Sequence, residues 1–220
     1  LKAAAIWTKI DRLFVLAAHD SQASLLEWKS HATGLTATTA TTAPIFTADR
    51  GWQGGGAGTT PGGYLAGTFN ATVGSNQFLQ DSAHLAVWNN LASSGSVQGT
   101  YREAGGGQAL IACKNPTAVL WCMSNAAAAD IPAQTGDGTG FHAWSRQAAT
   151  GYTAYQDANS IPVTRTSAAL VSGALHVLRG GSGFSNARVS AACWGGGLSG
   201  AEVAALRMAL HDYMVGVGAA

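Results

Sequence analysis

Charge is scarce in this sequence. Only 10% of its 220 residues are Asp, Glu, Lys or Arg, where a soluble domain carries about 25%. Basic and acidic residues nearly cancel, leaving a net charge of +1. A grip on nucleic acid through bulk charge is therefore excluded. Long apolar runs are missing too. Hydrophobic residues make up 47%, but 43 of them are alanine. No stretch approaches the ~18–20 bulky apolar residues of a membrane span, so membrane insertion is not expected. Cysteine is rare, with only Cys113, Cys122 and Cys193, an odd number at wide spacing. No C-x-x-C or H-x-x-x-H accompanies them, which argues against a zinc site or a disulfide framework. Free, buried thiols of a protein folded in a reducing cytoplasm are the expectation. No metal and no cofactor is expected. The opening Leu1 is followed by neither a basic region nor a signal-peptide pattern, which suggests a processed product or part of a longer polypeptide.

What is present calls for a folded core. Seven Trp, six Phe and five Tyr are incompatible with disorder. A chain of this length buries roughly 70% of its unfolded surface, enough for one real domain. The N-terminal stretch reads as helix, because Ile6, Ile10, Leu13, Phe14 and Ala17 recur at helical spacing. Asp20 or Ser21 then caps a second short helix carrying Ala23, Leu25, Leu26 and Trp28. The Thr/Ala-rich segment 33–44 is either an edge strand or a loop. Beyond Pro44 come ten strand-like runs divided by Gly-rich turns: 45–48, 63–68, 82–89, 98–102, 108–114, 118–124, 140–147, 151–157, 174–178 and 187–194. Their spacing of about 8–12 residues suits a sandwich or barrel rather than βαβ units. The chain closes on a helix, with Ser199 and Glu202 forming a capping box and Val203, Leu206, Leu210, Tyr213 and Val217 at helical spacing.

Several chemical motifs occur in partial form. Gly195, Gly197 and Gly200 satisfy G-x-G-x-x-G between a strand and a helix, but no second strand ending in an acid follows before Ala220. These glycines read as a tight exit from a sheet. Glycoside hydrolysis needs two facing carboxylates. The eleven acids are scattered, and the nearest candidates in a loop, Asp130 and Asp137, are seven residues apart. The GGSGF segment (180–184) lacks the final Gly of a nucleophile elbow. None of the six histidines is paired at ligand spacing. GDGTG (136–140) offers calcium a single carboxylate and reads as a turn. Trp52, following Asp49-Arg50-Gly51, has two readings. It is a stacking plate on a ligand loop, or a core residue next to an Arg that bridges carbonyls. The other tryptophans are expected mainly in the core.

Four segments carry a resemblance: WTKIDRLFVLAAHDSQASLLEWK (7–29), PIFTADRGWQGGG (44–56), GGYLAGTFNA (62–71) with SAHLAVW (82–88), and RVSAACWGGGLSGAEVAALRMALHDYM (188–214). Together they resemble a concanavalin A-like (laminin-G/lectin-like) jelly-roll module of bacteriophage and prophage virion proteins. The resemblance implies an all-β, antiparallel jelly-roll sandwich with short helices at the N- and C-termini. Residues 1–30 would form a helical lead-in, and 31–220 the sandwich, closed by a helix over 199–215. It implies a non-enzymatic structural or appendage module of a phage-like virion (decoration, fibre or tail), folded in the host cytoplasm. Its partners would be other virion subunits, as a homo-oligomer, and host-surface glycans. The alternatives are a free carbohydrate-binding lectin domain and a cryptic glycan-cleaving enzyme. Trp52 and Tyr64, aromatics of Gly-rich loops, are the candidate glycan-stacking residues.

Overall fold

A computed structural model describes the chain except residues 3, 30–32, 93–99, 103–107, 114–118, 127–128, 171 and 181–182. In chain order the elements are β1 (Ile10–Val15), α1 (Ser21–Ser24), β2 (Thr36–Thr38), β3 (Ile45–Thr47), β4 (Gly51–Gln53) and β5 (Tyr64–Ala66). Next come β6 (Ala83–Leu91), β7 (Thr100–Arg102), β8 (Gln108–Ala112), β9 (Val119–Ala126), β10 (Ala129–Thr135) and β11 (Gly140–Ala148). The last are β12 (Gly151–Gln156), β13 (Asn159–Thr164), β14 (Leu175–Val177), β15 (Arg179–Gly180), β16 (Gly183–Phe184), β17 (Arg188–Gly195) and α2 (Gly200–Gly216).

The result is an all-β antiparallel sandwich of the jelly-roll kind. Sheet one runs β13-β12-β11-β6-β17-β4-β3, with β1 also paired to β17. Sheet two runs β10-β9-β8-β7-β14-β5-β2. Alternation along each strand sends one set of side chains between the sheets. That interior holds Leu85, Val87, Trp144 and Trp194 from sheet one against Leu65, Ile111, Leu120 and Val177 from sheet two. Polar pins cross the gap. Trp144 Nε1 donates to the Leu110 carbonyl at 3.0 Å, and Arg146 Nε donates to the Ser124 carbonyl at 2.8 Å.

Sheet one is covered on its other face as well. Val203, Leu206, Leu210 and Met214 of α2 pack on Ala86, Phe141, Ala191 and Cys193. The capping box forms as the sequence indicates: Ser199 N–H donates to Glu202 at 2.7 Å, and Glu202 N–H donates to Ser199 Oγ at 3.3 Å. The glycines before it leave room for neighbouring backbone. A Cβ on Gly195 would lie 2.1 Å from the Lys9 carbonyl oxygen, and one on Gly197 2.2 Å from that of Arg146. That is a packing role, not a phosphate cradle.

All ten strand-like runs contain a strand, and segment 36–38 is the edge strand β2. The N-terminal expectation is corrected. Ile10–Val15 is a strand, and the described residues of 1–30 form no helical lead-in beyond a single 3-10 turn at Trp7–Lys9 and the four-residue α1 capped by Asp20. Leu13 and Val15 face α2 while Phe14 and Leu16 face the other sheet. A strand buried on both faces reads as an unbroken apolar run, which periodicity alone does not separate from a buried helix.

No described helix is long and apolar enough to cross a membrane. Cys113, Cys122 and Cys193 are free and buried, and burial pushes each thiol up.

Candidate functional site

Among the described residues no helix packs on the outer face of sheet two, and α2 lies on sheet one. Leu65, Leu175 and Val177 point between the sheets, so strand alternation puts Tyr64, Ala66 and His176 on that outer face. The register row continues from His176 through positions 101, 110 and 123.

Four side chains gather at the β5–β14 end of this row. Tyr64 is half-buried, and its hydroxyl accepts a hydrogen bond from Arg179 Nη1 at 3.2 Å. The Arg179 guanidinium lies 4.9 Å from the Tyr64 ring centroid and 5.8 Å from that of Phe184. His176 meets the Tyr64 ring edge-on at 5.4 Å, and Phe184 meets it at 6.1 Å. His176 Nδ1 accepts the Gly67 N–H at 3.2 Å, which fixes the imidazole. The Gly-rich loop 54–63 leads directly into Tyr64. It folds back so closely that a Cβ on Gly63 would meet Pro44 N at 2.1 Å. Leu178, with φ +69°, turns the chain so that Arg179 reaches over the rings. Phe184 and His176 are buried, so the accessible part of the cluster is the half-buried Tyr64 ring and hydroxyl with the Arg179 guanidinium, and none of the four members is a carboxylate. It can stack on an apolar ring face and donate hydrogen bonds to hydroxyl or carboxylate oxygens.

Trp52 is not in it. Only 6% exposed, it packs on Phe46 at 5.3 Å and donates from Nε1 to Ser24 Oγ at 2.8 Å. The stacking-plate expectation is corrected, because β4 turns this indole inward between the sheets. Neighbouring Arg50 bridges the Asp49 and Val217 carbonyls at 3.0 and 2.8 Å, as the core reading requires. Among the tryptophans with described side chains, Trp28 is instead the exposed one, at 43%. His176, Arg179 and Phe184 were not singled out from the sequence. They lie more than 100 residues from Tyr64, and no local spacing links them.

Several titratable groups lie buried within the fold or in its turns. His84 is buried, with Nδ1 2.6 Å from the Gly196 carbonyl, and burial lowers its pKa to about 4. His142 is likewise buried and lowered to about 4. Asp11 is spent on the Gln77 and Phe78 N–H groups, each at 2.8 Å, and burial raises its pKa. Asp137 closes a turn by accepting from Thr139 N–H and hydroxyl at 2.9 and 2.7 Å. The side chain of Asp130 and residues 181–182 of GGSGF lie outside the described residues. No three His, Cys, Asp or Glu groups gather at one point among the described residues.

No protein-family model and no curated protein matches the sequence. The fold does have solved counterparts. The chain is similar to domain 4 of AbnA, a GH43 extracellular arabinanase from Geobacillus stearothermophilus, solved in complex with arabinotriose. That similarity has a TM-score of 0.58 at 13% identity and covers 90% of this chain and 98% of that one. It is also similar to part of the Trypanosoma rangeli sialidase solved with sialic acid, with a TM-score of 0.55 at 12% identity. There it covers 94% of this chain but only 34% of the other, about a third of the sialidase. At these identities the likeness establishes the β-sandwich fold.

Proposed function

We propose that this chain is a non-catalytic carbohydrate-binding module that holds glycan on the outer face of sheet two. The observation that carries the reading is the Tyr64–Arg179–Phe184–His176 cluster on the face without a helix. A half-buried Tyr64 ring next to the Arg179 guanidinium suits a sugar, whose faces are apolar and whose rim is polar. The similar arabinanase domain solved with arabinotriose supports the ligand class.

The test is calorimetric titration with arabinotriose and a panel of neutral and acidic oligosaccharides. Binding should weaken at least tenfold in Tyr64→Ala and Arg179→Ala, with no release of reducing ends. Binding unchanged by both substitutions, or sustained hydrolysis, overturns the proposal.

A second reading is the finer one implied by the phage resemblance. In it, several copies are fixed in a virion as appendage or decoration subunits, and host glycans are held weakly per copy but multivalently. The low charge of the sequence, 10% of residues, favours it, because copies then repel each other little. A monomer at high concentration in light scattering counts against it.

A further inference from the structure

Helix α2 and the β12–β13 hairpin enclose a cleft of about 300 Å³ on the helix-covered side of sheet one. Gly200, Ala204 and Arg207 recur at spacings of four and three residues, so one face of α2 forms one wall. Tyr155, Asp157 and Ser160 form the other. Asp157 occupies the hairpin turn between the paired Gln156 and Asn159, with φ +52°, a left-handed conformation that Asp tolerates. Its Oδ1 accepts the Phe141 N–H at 3.0 Å, so the carboxylate is held in place. Gly200 keeps the start of the helix open, and the nearest atom to a Cβ there would be the Tyr155 hydroxyl at 3.8 Å.

Arg207 is the unmet charge of this cleft. Its side chain is half-buried, yet it has no hydrogen-bond, ion-pair or ring partner among the described residues. Asp157 lines the same cleft without coming within ion-pair distance of it. We propose that the cleft binds a small polyhydroxylated carboxylate, of the kind a hexuronic acid presents. The ligand carboxylate pairs with Arg207, and its hydroxyls donate to Asp157 and Ser160. A charge-assisted bond to guanidinium is roughly twice as strong as a neutral one, so the acid is preferred over its neutral counterpart. The fixed Asp157 carboxylate repels a second acid group and orients the hydroxylated edge toward itself. The volume lies at the lower end of the small-ligand range, about one sugar ring. The proposal does not rest on the Tyr64 cluster.

The test is an amide NMR titration of the 220-residue chain with glucuronate, glucose and acetate in parallel. Glucuronate should shift Tyr155, Ser160, Gly200 and Ala204 and bind at least tenfold tighter than glucose or acetate. Arg207→Met should weaken it at least tenfold at unchanged melting temperature, and Tyr64→Ala should leave it intact. Equal binding of glucose makes this a neutral-sugar site, and equal binding of acetate makes it a bare anion site. Either result overturns the proposal, as does wild-type binding by Arg207→Met or no binding at all. If Arg207→Met fails to fold, the wild-type shift map decides, and shifts confined to Tyr64 and His176 overturn the proposal.

Discussion

Replacing Leu206 with alanine measures how firmly α2 is docked on sheet one. Leu206 is fully buried, packed in a cluster with Ile10, Leu13, Ala191, Cys193 and Leu210. Removing three carbons forfeits roughly 0.8 kcal/mol each, about 2.5 kcal/mol in transfer free energy. The cavity left between helix and sheet adds to this, since strand-borne neighbours do not collapse into it. Alanine's better helix propensity returns only a few tenths of a kcal/mol, on the order of the known scale. The expected loss is about 3–4 kcal/mol, within the range measured for buried Leu→Ala changes. Urea unfolding followed by tryptophan fluorescence reads it. With a slope near ~2 kcal/mol/M, the midpoint should fall by about 1.5–2 M at constant slope. Met208→Ala is the control, because Met208 is 56% exposed on the same helix. It should shift stability by no more than about 0.5 kcal/mol. If Leu206→Ala shifts stability as little as the control does, α2 is not part of the core.

Two further outcomes follow from buried polar groups. Burial holds His84 and His142 neutral, each with a pKa lowered to about 4, whereas an unfolded histidine titrates near 6.5. The unfolded chain therefore binds more protons between those values. Stability should be full above about pH 6.5 and fall toward pH 4, by on the order of 3 kcal/mol per histidine. The raised Asp11 carboxyl opposes the trend at its acid end, and urea midpoints that do not change from about pH 7 to 4.5 refute the linkage. Arg146 is fully buried and donates to the carbonyls of Ser124, Ala148, Ala149 and Arg165 at 2.8–3.1 Å. Arg146→Met keeps the stem but leaves the carbonyl of buried Ser124 without its donor, and should cost roughly 2 kcal/mol by thermal or urea unfolding. A wild-type midpoint would show that the cross-sheet pin is dispensable.

Much of this architecture was legible in the sequence, because it rests on local rules. Gly-rich turns punctuate strands such as β6, β11 and β17, and alternating residues declare two faces. Ser199 and Glu202 mark the start of α2 through a capping interaction only three residues long. Other features depended on what lies opposite each segment in space. Leu13 to Ala17 is apolar throughout, and only the cover from a sheet on one side and a helix on the other makes it a strand. Trp52 and Trp28 are alike in type, yet one donates to buried Ser24 and the other stands 43% exposed. Tyr64 was visible as an aromatic after a glycine loop. Its partners His176, Arg179 and Phe184 reach it only because β14 pairs with β5 across more than 100 residues of chain. Arg207 and Asp157 line one cleft for the same reason: β11 and β17 both flank β6 in one sheet, and α2 lies over that sheet. Propensity, capping and turn chemistry act within a few residues and can be read along the chain. Burial and the assembly of a site are set by long-range strand pairing, which no local spacing encodes.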